Sequence, residues 1–293
     1  MLSSRRLQPA LEVRSYKFPL PLWERIRVRG NVRILFIGDI IGEVGRKIIA
    51  KRLNTLVDEY RINLVIANGE NAAGGFGITP KIADELIELG IDVITSGNHV
   101  WDKKEILPYI EKERRLLRPA NYPEGVPGYG DITVYTKSGD RVVVLNLMGR
   151  VFMGNFDCPF RYFRRELPRL KAGADAVIVD FHAEATSEKL AFGWFADGDV
   201  GAVIGTHTHV QTADEQILPK GTAYITDVGM TGPANSVIGM KKDEIIEKYL
   251  TLLPKRFEVA KGNPTISAVV IDIDKKDGKA VSIERLQIRD GEW

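Results

Sequence analysis

At 293 residues, with 44% hydrophobic and 27% charged side chains, the chain has the composition of an ordinary globular protein and is long enough for one large domain or two small ones. Its single cysteine, Cys158, excludes an internal disulfide and any zinc cage built from thiolates and fits a reducing, cytoplasmic compartment, while no apolar run approaches the roughly 18 residues of a membrane span. The net charge of +2 is set by residues 1 to 31, which hold seven Lys/Arg against two Glu; the remaining 34 basic and 37 acidic residues sum to −3, a poor match for duplex nucleic acid and a better one for a small phosphorylated molecule.

Residues 1 to 31 show no sustained periodicity, are punctuated by Pro9, Pro19 and Pro21, and read as an unstructured leader. Ser4-Arg5-Arg6 opens like a twin-arginine signal, but no apolar stretch of about 7 to 15 residues and no small-residue cleavage site follow it. FPLPLWERIRVRG resembles translated repetitive intergenic DNA, and Val32 stands where a GTG codon would initiate, so the native start is expected at Val32 and residues 32 to 293 are expected to form a single domain.

From Val32 the chain alternates. Arg33 to Ile37 predicts a buried strand, Arg46 to Tyr60 an amphipathic helix, and Leu64 to Ala67 a second strand. A Gly-rich loop, Ala72 to Gly77, leads to a helix over Lys81 to Leu89 that opens at Pro80, and Asp92 to Thr95 is a third strand. This is a β-α-β-α-β opening with parallel strands. The runs Ile132 to Tyr135 and Val142 to Leu145 flank a turn and predict an antiparallel hairpin. After the irregular loop Met148 to Pro159 come a basic helix near Arg161 to Lys171, a strand at Ala176 to Asp180, a helix near Ser187 to Phe195 and a strand at Val200 to Ile204. Further short strands around Ala223 to Thr226, a helix over about Lys242 to Leu253 and a closing hairpin, Ser267 to Asp274 with Ala280 to Ile288, complete the order.

The last of the central strands runs into GTHTH, Gly205 to His209. Residues two apart on a strand share a face, so His207 and His209 are expected to leave the strand end side by side, as a metal-clamping pair does; alone, such a pair is more often two polar residues at a terminus. The chain has only four histidines, and His99 in GNH and His182 in FHAE also follow apolar runs. All four are therefore expected at one site on adjacent strand ends, where open α/β sheets place their ligands. Asp39 in IGD, Glu70 and Asn71 in NGEN and Asn98 in GNH sit at further strand ends, although each alone reads as a cap or a turn.

Taken together, IGD, NGEN, GNH, FHAE and GTHTH resemble the calcineurin-like metallophosphoesterases and, over essentially all of residues 32 to 293, the YmdB-type bacterial cyclic-nucleotide phosphodiesterases. Two departures from the wider superfamily stand out: Ile41 occupies the place of a usual ligand histidine, and Glu70 replaces a bridging Asp. In the YmdB-type pattern Asn71 compensates for the first. The resemblance implies an α/β fold, the four-layer αββα sandwich, with a dinuclear metal site at its strand ends. It implies one metal on Asp39, Glu70, Asn71 and His209 and the other on Glu70, Asn98, His182 and His207. Ligands without thiolate suit Fe or Mn at least as well as Zn. His99 becomes the candidate general acid, with Asp102 either orienting it or capping a helix from Lys103 to Ile110. Asn155 and Phe156 are candidates for a substrate loop or an ordinary surface loop.

The implied reaction is hydrolysis of 2′,3′-cyclic nucleotides to 3′-nucleotides by a hydroxide activated between two metals. A phosphomonoesterase, a diesterase for another small substrate and a non-catalytic nucleotide-sensing regulator are the alternatives, and homo-oligomerisation is compatible with all of them. An amidohydrolase also uses an HxH pair, but on its first barrel strand, whereas here the pair comes late in the chain.

Overall fold

The computed structural model describes residues 31 to 290, so the expected leader lies outside the described residues except for Asn31, which opens the first strand. In chain order the first half comprises β1 (Asn31–Ile37), β2 (Asp39–Ile40), α1 (Gly42–Tyr60), β3 (Leu64–Asn68), α2 (Pro80–Glu88), β4 (Val93–Thr95), α3 (Leu107–Ile110), β5 (Asp131–Tyr135) and β6 (Arg141–Met148). The second half comprises α4 (Pro159–Lys171), β7 (Ala176–His182), α5 (Thr186–Ala196), β8 (Ala202–Thr206), β9 (Gln216–Ile217), β10 (Ala223–Ile225), β11 (Met230–Pro233), α6 (Lys242–Thr251), β12 (Pro264–Asp274) and β13 (Lys279–Arg289).

These strands make two sheets. One runs β2-β11-β12-β1-β3-β4 with β13 paired to β12, and the other runs β5-β6-β7-β8-β10-β9. As the alternation predicts, β1, β3 and β4 are parallel, β5 and β6 form the antiparallel hairpin, and β12 and β13 close the chain as a second one. In β1, Val32, Ile34 and Phe36 face Val142, Val144, Ile178 and Ile204 of the other sheet, while Leu35 and Ile37 face Ile48, Ile49 and Leu53 of α1. In β6, Val143, Leu145 and Leu147 turn the other way, onto Phe163 of α4 and Phe192 of α5. Each sheet is thus apolar on both faces, which is why its strands read as continuous hydrophobic runs. Three stacked apolar layers between four layers of elements give the expected αββα sandwich.

β2 and the start of α1 differ from the sequence expectation. β2 is a two-residue strand that pairs in parallel with β11, too short to carry any period. α1 begins at Gly42, four residues before Arg46, entered through Ile41 without a side-chain cap; with no Ser, Thr, Asp or Asn at that position the start carries no local signal. Among the described residues no helix is long and apolar enough to cross a membrane.

Candidate metal centre

The strand ends bring all seven expected donors together. Asp39 opens β2, Glu70 and Asn71 follow β3, and Asn98 follows β4, all in the first sheet; His182 ends β7, and His207 and His209 follow β8, in the second. His182 Nε2 is the hub: it lies 3.0 Å from Asn98 Oδ1, 3.0 Å from His207 Nδ1 and 3.1 Å from a Glu70 carboxylate oxygen. Donor atoms of Glu70, His182 and His207 all fall within 4.8 Å of one another. On the other side of Glu70, Asn71 Nδ2 is 3.2 Å from Glu70 Oε1 and 3.3 Å from His209 Nε2, which is 3.8 Å from Asp39 Oδ1. Gly97 is what lets this close: a Cβ there would stand 2.2 Å from His182 Nε2 and 2.5 Å from Glu70 Oε2.

The histidine pair arrives by a different route from the one its spacing suggests. β8 ends at Thr206, and His207 and His209 have φ of 100° and 65°, so a left-handed loop rather than the strand pleat aims the two rings. A non-glycine residue held there costs on the order of 1 to 3 kcal/mol, and the surroundings must fix it. They do so through a buried ion pair. Lys189 Nζ of α5 donates to Asp227 Oδ2 and to the Thr206 carbonyl, both at 2.7 Å, and the same Asp227 oxygen accepts Thr208 N–H at 3.0 Å and Thr208 Oγ1 at 2.7 Å.

The electrostatics show what the site lacks on its own. Asp39 and Asn71 are fully or almost fully buried, and the Oδ1 of each has no hydrogen-bond partner. An unsatisfied buried acceptor costs about 1 to 3 kcal/mol, and burial accordingly pushes the Asp39 carboxyl above the usual range. Burial acts against charge on both Glu70 and His182, but each is the other's counter-ion, so Glu70 is held below its ordinary value and His182 above. Burial and the neighbouring His182 push His207 down to about 3. Turning the Asn71 amide over brings its oxygen to Glu70 and His209, a cluster of acceptors only, which a divalent cation satisfies. The donor set of carboxylate, amide oxygen and imidazole fits such a cation.

Each imidazole is also held from behind. His182 Nδ1 meets Thr206 Oγ1 at 2.9 Å, whose hydroxyl donates to Asp180 Oδ1 at 2.7 Å, leaving Nε2 to the site; burial pushes Asp180 up to about 7. His209 Nδ1 meets the Ile238 carbonyl at 2.9 Å. His207 is reversed, with Nδ1 inward and Nε2 3.0 Å from Glu184 Oε2. Such partners fix tautomer and basicity. Glu184→Gln should therefore weaken metal retention by about tenfold, with unchanged unfolding of the metal-free protein. Titration against a competing chelator measures it, and unchanged affinity would leave Glu184 as a surface carboxylate.

His99 stands beside the donors rather than among them. Its backbone N–H donates to Glu70 Oε2 at 3.1 Å, its Nδ1 meets Asp102 Oδ2 at 2.9 Å, and Phe76 packs edge-on to its ring at 5.2 Å. Asp102 is thus the partner of His99 and not a helix cap: the helix expected there is a single 3-10 turn, Lys104–Ile106, followed by the four-residue α3. Asn155 and Phe156 make no hydrogen bond or ring contact with the donors. Phe156 packs edge-on against Tyr122, and Asn155 and Phe156 line a cavity of about 440 Å³ with Arg150, Gly154 and Glu188. Sequence reasoning missed Asp180, Glu184, Lys189 and Asp227; FHAE held the one local hint, for Glu184.

Residues 35–286 match the family model described as YmdB-like protein. The chain is 52% identical over 259 residues, 88% of its length and 98% of the relative's, to the 2′,3′-cyclic-nucleotide 2′-phosphodiesterase of Bacillus subtilis (strain 168). Among solved structures it is similar to a hypothetical protein of Thermus thermophilus, with TM-score 0.84 and 42% identity, covering 89% of this chain and 100% of that one. It is also similar to a structure described as a novel phosphatase of Mycoplasma pneumoniae, with TM-score 0.83 and 36% identity, covering 89% and 94%.

Proposed function

Because this chain belongs to the YmdB-like protein family, we propose that, as a metallophosphoesterase, it opens 2′,3′-cyclic nucleotides at the 2′ oxygen and releases 3′-nucleotides. The observation that carries the reading is the convergence of donors from both sheets around Glu70, with His99 left outside the donor set and backed by Asp102. In this reading Asp39, Glu70, Asn71 and His209 hold one divalent ion, and Glu70, Asn98, His182 and His207 hold a second, Fe or Mn before Zn. Divalent ions held there would supply a water of lowered pKa and would neutralise charge on the phosphoryl group. The carboxylates of Asp39 and Glu70 would offset only part of the charge of two divalent ions, so the centre would favour an anionic substrate. His99 protonates the departing 2′ oxygen, and Asp102 keeps the imidazole turned for that transfer. The enzyme acts on small substrates in the cytoplasm.

A panel of 2′,3′-cyclic nucleotides, 3′,5′-cyclic nucleotides and phosphomonoesters at matched metal loading tests the reading. The expected product is the 3′-nucleotide from the 2′,3′-cyclic substrate. Release of the 2′-nucleotide, or faster turnover of monoesters, would replace it with a different esterase.

The two-ion arrangement has its own test. Asn71→Ala removes a ligand from one ion only, so metal content should fall toward one ion per chain while the fold persists. Glu70→Ala removes the residue between both, so both ions should weaken. Elemental analysis after dialysis reads the difference; near-full occupancy in Asn71→Ala would take Asn71 out of the ligand set.

A further inference from the structure

The loop between β6 and α4, with Glu188 at the start of α5, lines a cavity of about 440 Å³, within the range of about 300 to 1,000 Å³ typical of small-molecule sites. The loop is pinned at both ends. The amide of wholly buried Asn121 donates to the Met148 and Asp157 carbonyls and accepts Met148 N–H, all at 2.8 Å, and Asp157 N–H reaches the Asn121 carbonyl at 3.0 Å. The Glu188 carboxylate takes the N–H groups of Arg150 and Val151 at 3.0 to 3.1 Å. The cavity is therefore formed before anything enters it, and it adjoins the metal donors. Met148 stands opposite His182 in the β6–β7 register, and Gly149 N–H donates to the His182 carbonyl at 2.9 Å. From the side of the proton donor, Trp101 in the turn joining His99 to Asp102 packs edge-on to Tyr122 at 5.8 Å, and Tyr122 packs edge-on to Phe156 at 5.0 Å. A second aromatic in the loop is held at a cost: Phe152 has φ of 64°, strained for a bulky residue, and its ring is 89% exposed, so little packing offsets the strain.

We propose that this cavity is the nucleobase subsite: with the cyclic phosphate at the metal donors, the base reaches past His182 onto the loop, stacks on Phe156 and is closed over by Phe152. The proposal rests on the cyclic-nucleotide reading above and adds what the protein recognises besides the phosphate. A nucleobase presents a flat π face and a rim of donors and acceptors, and the lining answers both. Phe156, fixed by Tyr122, supplies an aromatic surface that any base can stack on. The Asn155 amide, a donor and an acceptor at once, and the Asp157 carboxylate have no hydrogen-bond partner among the described residues, which leaves them free for the rim. Charge excludes a second phosphate as the occupant, because Arg150 alone brings a positive group to a lining that also holds Asp157 and Glu188. The strain at Phe152 has a use under this assignment: it keeps an aromatic ring standing at the mouth of the cavity, where a base can bury it.

Steady-state kinetics on a 2′,3′-cyclic nucleotide and on ribose 2,3-cyclic phosphate, which lacks the base, test the subsite, and calorimetric binding of a 3′-nucleotide against ribose 3-phosphate reads it without turnover. The wild type should favour each nucleotide over its base-free counterpart by about tenfold or more. Phe156→Ala and Phe152→Gly should each raise KM for the cyclic nucleotide by about tenfold with little change in kcat, the pattern of lost uniform binding, and leave KM for the base-free substrate and the metal content as they are. Phe152→Gly should do so without lowering the unfolding temperature, since glycine adopts that backbone freely, and it keeps the test open where Phe156→Ala loosens the loop. A wild type that binds the 3′-nucleotide no more tightly than ribose 3-phosphate overturns the proposal, as do variants that raise KM equally on both substrates. An unchanged nucleotide KM overturns the stacking in Phe156→Ala and the closure in Phe152→Gly. Turnover of neither cyclic phosphate would instead fail the reading of the reaction, and the calorimetric preference would still decide the subsite.

Discussion

His99→Ala is expected to keep its metal and to lose about 10² to 10⁴ in turnover on a 2′,3′-cyclic nucleotide. The expectation rests on position. His99 is the one histidine of the four whose ring nitrogens meet none of the donors, its Nδ1 being taken by Asp102 and its side chain remaining 30% exposed toward solvent, whereas His182 is wholly buried among them. Removing a proton donor leaves the binding of ions intact and acts on bond breaking alone. The loss should also depend on the leaving group. A ribose 2′ oxygen departs poorly without a proton, while a nitrophenolate needs little help, so the variant should keep proportionally more activity on a nitrophenyl phosphodiester. Equal losses on both substrates with metal intact would assign His99 to holding the phosphate. Loss of metal would place it among the ligands.

How much of this was legible beforehand depended on how local each feature is. The strands were visible because both faces of both sheets are buried, so β1, β7 and β8 are apolar at nearly every position. The donors were visible because parallel strands end together, which turns a set of separate short motifs into one place. The histidine loop was misread because a spacing of two is compatible with a strand pleat, and nothing in His-Thr-His announces that His207 and His209 adopt positive φ. What props the loop was invisible for a related reason. Asp227 lies in TDVG, which reads as a turn, and Lys189 lies in SEKLAF, which reads as the solvent face of a helix. Their pairing spans 38 residues and exists only because α5 packs over the end of β8, a tertiary fact with no sequence period.

Lys189→Met should therefore be costly far beyond an ordinary helix substitution. Lys189 is 1% exposed and Asp227 is wholly buried, so removing the ammonium leaves a carboxylate with its charge uncompensated in the core, a change that costs about 3 to 5 kcal/mol. For a chain of this size that corresponds to a fall in unfolding temperature on the order of 10 °C. The Thr206 carbonyl loses its shorter hydrogen bond at the same moment and keeps only Ala183 N–H at 3.5 Å, just where the backbone turns into the left-handed conformation of His207. Asp227 retains Thr208 N–H, Thr208 Oγ1 and Gly229 N–H as donors, so the loop should loosen rather than collapse. Two readouts follow: lower equilibrium stability of the metal-free protein in denaturant, and weaker metal retention through His207 and His209. Asp227→Asn added to Lys189→Met removes the stranded charge and should return part of the stability. It should return less of the metal affinity, because the ammonium that donates to Thr206 at 2.7 Å stays absent. A single variant as stable as wild type would show that the pair does not hold the fold, and a destabilised variant with unchanged metal affinity would separate it from the histidine loop.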